Sequence, residues 1–178
     1  MKRVLLCLIA ISGTPMLAQA PALTWEQAAR NVSRLPPAAF VDVPANVRRA
    51  LQQDNCLIPQ TPHISRRHNI VAGEFATRGQ RDWAALCSVN LSSRLVVYWG
   101  GPAKCGQLGE WGDDVHLLAD YVFAYSVHRI TVPQMRAAAR EFDAKLQLTH
   151  DGINFGSEKG TVAHYCHQGK WVEFITSD

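Results

Sequence analysis

Neither sign of charge dominates this chain of 178 residues: 18 lysines and arginines stand against 15 aspartates and glutamates. The short cluster Arg66-Arg67-His68 is continued by no wider basic stripe and reads as a solvated turn. No electrostatic footprint for nucleic acid or an anionic membrane surface is present, so no nucleic-acid partner is expected. The sequence also lacks an apolar run of the ~18 to 20 residues that a transmembrane helix needs. It has no G-x-S-x-G elbow, no P-loop, no spaced acids of a calcium loop, no internal repeat and no low-complexity tract. Without such a motif no catalytic residue can be named, although catalytic groups assembled in space leave no trace of this kind. No cofactor is expected.

What is present begins with a secretory pattern. Lys2 and Arg3 precede an apolar run from Val4 to Ile11, and Ala18-Gln19-Ala20 forms a small-x-small end. Cleavage after Ala20 would leave a soluble mature chain of one domain, residues 21–178, with 16 basic against 15 acidic residues. Cys7 would be lost with the leader. The cysteines that remain, Cys56, Cys87, Cys105 and Cys166, suggest two disulfides in an oxidising compartment, periplasmic or extracellular. Four cysteines allow three pairings. Cys56 with Cys87 and Cys105 with Cys166 is the expected one, and the first would close a loop worth about 3 kcal/mol in the chain-entropy picture.

Apolar spacing divides the chain. Thr24 and Gln27 form a capping box before a helix over about 25–34, with Trp25, Ala28, Ala29 and Val32 on one face. A second helix is predicted from Pro44 to Gln53, followed by a loop from Asn55 to His68. The period then becomes two, which predicts strands over Ile70–Thr77, Asp82–Val89 and Arg94–Trp99. In the middle strand Trp83, Ala85, Cys87 and Val89 share a face. Gly100 to Asp114 reads as a long loop, and Tyr121–Ile130 as another strand. A helix over 132–144 with Val132, Met135, Ala138, Ala139 and Phe142 buried comes next. Thr161–His167 and Lys170–Thr176 complete the chain as a hairpin around Gln168-Gly169.

Few residues stand out as candidate sites. Alternation puts His164 and Cys166 on one face of a strand and His167 on the other, which argues against a metal site and for solvent-facing histidines. Glu110, Asp113, Asp114 and His116 form the densest group of ligand types and read as a solvated acidic loop; His150-Asp151-Gly152 reads as a turn. No metal or catalytic residue is assigned. Five tryptophans are present, and Trp111 differs from the rest because it sits in a polar loop between Gly109 and Gly112. Exposed aromatic side chains anchor many interfaces, which makes Trp111 the candidate contact for an envelope or secreted protein partner, or for a glycan.

Three stretches carry a resemblance: Cys56-Leu57-Ile58-Pro59-Gln60; the pattern G-x-F-x-x-x-G-Q-x-D-W-A-x-L-C-S from Gly73 to Ser88; and a closing "HDGI … GKW" at His150–Ile153 and Gly169–Trp171. In these the chain resembles a family of secreted bacterial proteins of uncharacterised activity. A narrower likeness joins Gly73-Glu74-Phe75 and Asp82 to one strand-loop-strand unit of the FG-GAP type. The loop 76–80 lacks the aspartates that hold calcium there, so calcium is not implied. The fold expected is α+β: N-terminal helices, a mainly antiparallel sheet, one later helix, a C-terminal hairpin and two disulfides. The function expected is that of a non-enzymatic binding protein, an inhibitor or immunity-type partner of another envelope protein. The alternative is a small hydrolase of an envelope polymer using Asp113, Asp114, His116 or His150.

Overall fold

One strand, Asp82–Val89, has to lie at the centre of the molecule, because both of its faces are apolar. Ala84 and Leu86 point to one side, Trp83, Ala85, Cys87 and Val89 to the other. Side chains alternate across a strand, so such a strand needs a cover on each face. The computed structural model describes residues 24–61, 64–118, 124–138 and 146–177, and it supplies both covers. The expected leader, residues 121–123 of an expected strand, and the second half of the predicted helix with Ala139 and Phe142 lie outside the described residues.

The described residues form three helices, α1 (Trp25–Asn31), α2 (Ala45–Gln53) and α4 (Val132–Ala138), with one helical turn, α3 (Asp114–Leu117), and a short 3-10 turn over Pro37–Ala39. A ribbon pairs β1 (Ser33–Leu35) with β2 (Ile58–Gln60). The first sheet runs β3 (Ile70–Gly73), β4 (Asp82–Val89), β5 (Ser92–Tyr98) and β6 (Gly112–Asp113), in that order. The second runs β7 (Ser126–Ile130), β8 (Gly152–Ser157), β9 (Gly160–His167) and β10 (Lys170–Ser177), again consecutively. All of these pairings are antiparallel. The chain is therefore α+β and mostly sheet, as its periodicity predicts, and its disulfides join Cys56 to Cys87 and Cys105 to Cys166.

The two sheets share one apolar cluster: Ala84, Leu86 and Leu95 from the first, with Phe75 from the β3–β4 connection, meet Val127 and Ile153 from the second. On its other face the first sheet is covered by Phe40, Val43, Val47 and Leu51, around the Cys56–Cys87 bridge. Met135 of α4 covers Ile130, Ala163, Tyr165 and Phe174 on the far face of the second sheet. At ~2 kcal/mol for each large side chain taken from water, these clusters are the main source of stability. Among the described residues no helix is long and apolar enough to cross a membrane.

Several boundaries differ from the sequence reading. The first helix stops at Asn31, and Ser33 already belongs to β1. Trp25, expected on its buried face, is exposed. The expected loop 55–68 contains β2, and the loop after Gly100 contains β6. Strand β3 ends at Gly73, where a Cβ would collide with the ring of Phe75, which is buried beside it. β8 was not expected at all. Its Gly152 lies where a Cβ would come 2.9 Å from Met135 Sδ and 3.1 Å from the His164 carbonyl oxygen. Glycine is needed there for the approach of helix and strand, although by composition it argues against a strand.

Candidate functional site

The polar residues that looked available for chemistry are largely built into the fold. Asp114 is not part of a solvated loop: its side chain is fully buried. Its Oδ2 accepts from Arg34 Nη2 at 2.6 Å and from Ser88 Oγ at 2.7 Å. Arg34 also donates to the carbonyls of Ala29 and Val32 and to Ser88 Oγ, so one guanidinium ties α1, β1, β4 and α3 together. Asp113 caps α3 by accepting from Val115 N at 3.0 Å. The His116 side chain falls outside the described residues. His150 is buried, stacks on Tyr165 at 4.3 Å, and turns its two ring nitrogens to the carbonyls of Asp151 and Cys166. A ring held in this way is unsuited to moving protons for a substrate.

The stretches around Gln60, from Gly73 to Ser88 and around Trp171 also hold the fold. Asp82 Oδ2 accepts from the backbone N–H of Phe75 and Ala76, and its Oδ1 from Gly100 N and Gln80 Nε2. Gln80 in turn exchanges two hydrogen bonds with the backbone of Ala103. Gly100 must lack a side chain, because a Cβ would strike the Arg81 carbonyl. Gln60 clamps the backbone N–H and C=O of His68, and His68 is buried, not part of a solvated turn. Trp171 donates through Nε1 to the Gly106 carbonyl at 2.9 Å and stacks on Trp99 at 5.9 Å.

The histidines of the hairpin are not both solvent-facing either. His164 is buried and pairs with Glu173 at 3.1 Å. Burial pushes its imidazole below the usual range, against the pull of the Glu173 carboxylate. His128 is pushed the same way by burial and then by the charge of Arg66. With a folded pKa below the unfolded value of about 6.5, each histidine is neutral in the native state while the unfolded chain takes up the proton. Their contribution is complete above that pH and is lost as pH falls. The melting temperature is expected to drop between pH 7.5 and 5.0, and to drop less in His164→Gln. Parallel pH curves for the two proteins, followed by circular dichroism, would refute this.

The described surface also has open regions. A broad cavity of about 800 Å³ lies on the outer face of the second sheet, floored by Ser126, His128, Asn154 and Thr176. On its floor Ser126 Oγ bonds to His128 Nε2 at 2.8 Å, and Thr176 donates to Asn154 Oδ1 at 2.8 Å. Among the described residues no three of His, Cys, Asp and Glu come together as a metal site.

A second region surrounds Trp111. This residue immediately precedes β6, which pairs with β5 only at Ser92 and Ser93. Trp111 therefore stands where pairing stops and the outer edge of β5 opens. Its side chain is 42% exposed, and the Arg94 guanidinium sits 4.5 Å above its ring. That cation–π contact fixes the indole in place without burying it. Arg94 also lines a groove of about 410 Å³ that follows β5 past Val96 and Tyr98, with Lys104–Leu108 as its other wall. Tyr98 donates to Asp54 at 3.0 Å, and burial followed by that carboxylate raises its phenol well above the usual range. Sequence reasoning singled out Trp111 and missed the groove, because no local signal tells an edge strand from an inner one. Comparison with known protein families, with curated proteins and with solved structures gives no match.

Proposed function

We propose that this is an exported binding module for another envelope or secreted protein, released to the periplasm or the exterior by cleavage near Ala20. The observation that carries this reading is the presentation of Trp111, half exposed, held by Arg94, at the mouth of an open strand edge. A rigid aromatic loses little freedom on binding and brings a large contact area, which is the property of an interface anchor. Two disulfides brace the frame behind it, as suits an oxidising compartment. Most residues that a hydrolase reading would use are occupied in capping or burial, which supports binding over turnover.

Immobilised protein comprising residues 21–178 is expected to retain one envelope protein in stoichiometric amount. The Trp111→Ala variant should bind that purified partner at least tenfold more weakly with its melting temperature unchanged. Equal retention by both proteins would remove Trp111 from the interface. Retention of envelope polysaccharide instead of protein would overturn the protein-partner reading.

A further inference from the structure

β5 is paired along its length by β4, and on its other side for only two residues. From Arg94 to Tyr98 no described strand hydrogen-bonds to that outer edge. A strand turns the N–H and C=O of every second residue to the same side, so this edge offers two or three residues in register for another strand. Exposed edges of this kind are ordinarily blunted by charge, proline or a cover. Here the neighbouring segment Lys104–Leu108 lines the groove without pairing to β5.

That wall is fixed from behind. Cys105 is bonded to Cys166 of β9, Gly106 accepts from Trp171 of β10, and Leu108 is buried in the cluster between the sheets. The groove is therefore preformed, and its occupant need not open it. Its charge is lopsided: Arg94 and Lys104 line it against a single acid, Asp54, whose carboxylate already accepts from Tyr98.

We propose that the groove takes an extended acidic segment of the partner protein as a strand added to the Arg94–Tyr98 edge of β5, with Arg94 and Lys104 meeting its carboxylates. Backbone pairing supplies register and the two cations supply preference for acidic side chains. A second copy of this chain is a poor occupant. Its own β5 edge is walled by its own Lys104–Leu108 segment, so two such edges cannot meet squarely, whereas a free extended segment can enter. This inference rests on the binding-module reading and specifies its chemistry.

The test uses protein of residues 21–178 and three synthetic octapeptides. One alternates threonine and glutamate, one alternates threonine and lysine, and one is the glutamate peptide N-methylated at every amide, so that neither of its edges can pair. Amide chemical shifts and hydrogen exchange are followed by NMR. The glutamate peptide is expected to shift amides in 94–98 and slow their exchange about tenfold at saturation. The lysine peptide should bind at least tenfold more weakly, and N-methylation should abolish the exchange protection. Lys104→Glu should weaken the glutamate peptide at least tenfold with an unchanged melting temperature. Equal binding of both charged peptides, protection that survives N-methylation, shifts away from β5, or silence of all three would each overturn strand addition. Trp111-dependent capture of a protein alongside silent peptides would leave the module reading standing without this mode. Shifts at 94–98 produced only by a peptidoglycan saccharide would make the groove a glycan site.

Discussion

Asp82→Asn is expected to lower the melting temperature by about 10 °C, although it changes a single oxygen to nitrogen. The native carboxylate is fully buried and accepts four hydrogen bonds, from Phe75 N, Ala76 N, Gly100 N and Gln80 Nε2. An amide has one acceptor oxygen, so whichever way it is turned, two donors face its NH₂ group. Each orphaned buried donor costs ~1 to 3 kcal/mol, giving about 4 kcal/mol in all. That is a large share of the ~5 to 15 kcal/mol by which a domain is usually stable. The damage should begin at the Thr77–Gln80 connector, whose closing strand starts at Asp82, and extend to the turn after β5 through Gly100. A melting temperature within 2 °C of the wild type would mean that these donors have other partners.

Arg34→Met is the second large effect. It removes the cation paired with Asp114, whose side chain has no exposure and whose Oδ1 has no hydrogen-bond partner among the described residues. A buried ion pair contributes little net stability, yet breaking it from one side strands a charge at a cost of about 3 to 5 kcal/mol. The size of the loss should depend on that charge more than on the arginine. Arg34→Met combined with Asp114→Asn is therefore expected to recover about 2 kcal/mol of the loss, since Ser88 can still donate to the amide oxygen. Denaturation in guanidinium with the disulfides intact measures both variants. Equal loss in the single and double variants would place the cost in the severed contacts to Ala29 and Val32 instead.

Legibility followed the range of the interactions. The β9–β10 hairpin was readable because Gln168-Gly169 supplies two positive φ values, 50° and 78°, within the turn itself. β4 and β5 were readable from alternation, and helix α2 from the spacing of Val47 and Leu51. Asp114 could not be placed, since its partner Arg34 lies 80 positions earlier. β8 was hidden by glycines that serve helix and strand contacts. The candidate site was half legible: an aromatic residue between glycines is visible in a sequence, whereas the open edge beside it depends on how few residues of β6 reach β5.

Asn69 joins parts of the chain that the sheets alone leave separate. Its φ of 67° is a left-handed conformation that asparagine tolerates. Its side chain donates to the Pro59 carbonyl and accepts from Val127 N, and its own carbonyl accepts from Leu86 N. Each sheet is a meander whose strands follow one another in the chain, so most backbone pairing closes only short loops. The entropy of long-range closure is concentrated in the few contacts between the meanders, and the Asn69–Val127 bond is one of them, spanning 58 positions. Asn69 is thus a fastener between the two meanders, alongside the Cys105–Cys166 bridge and the Trp171–Gly106 hydrogen bond.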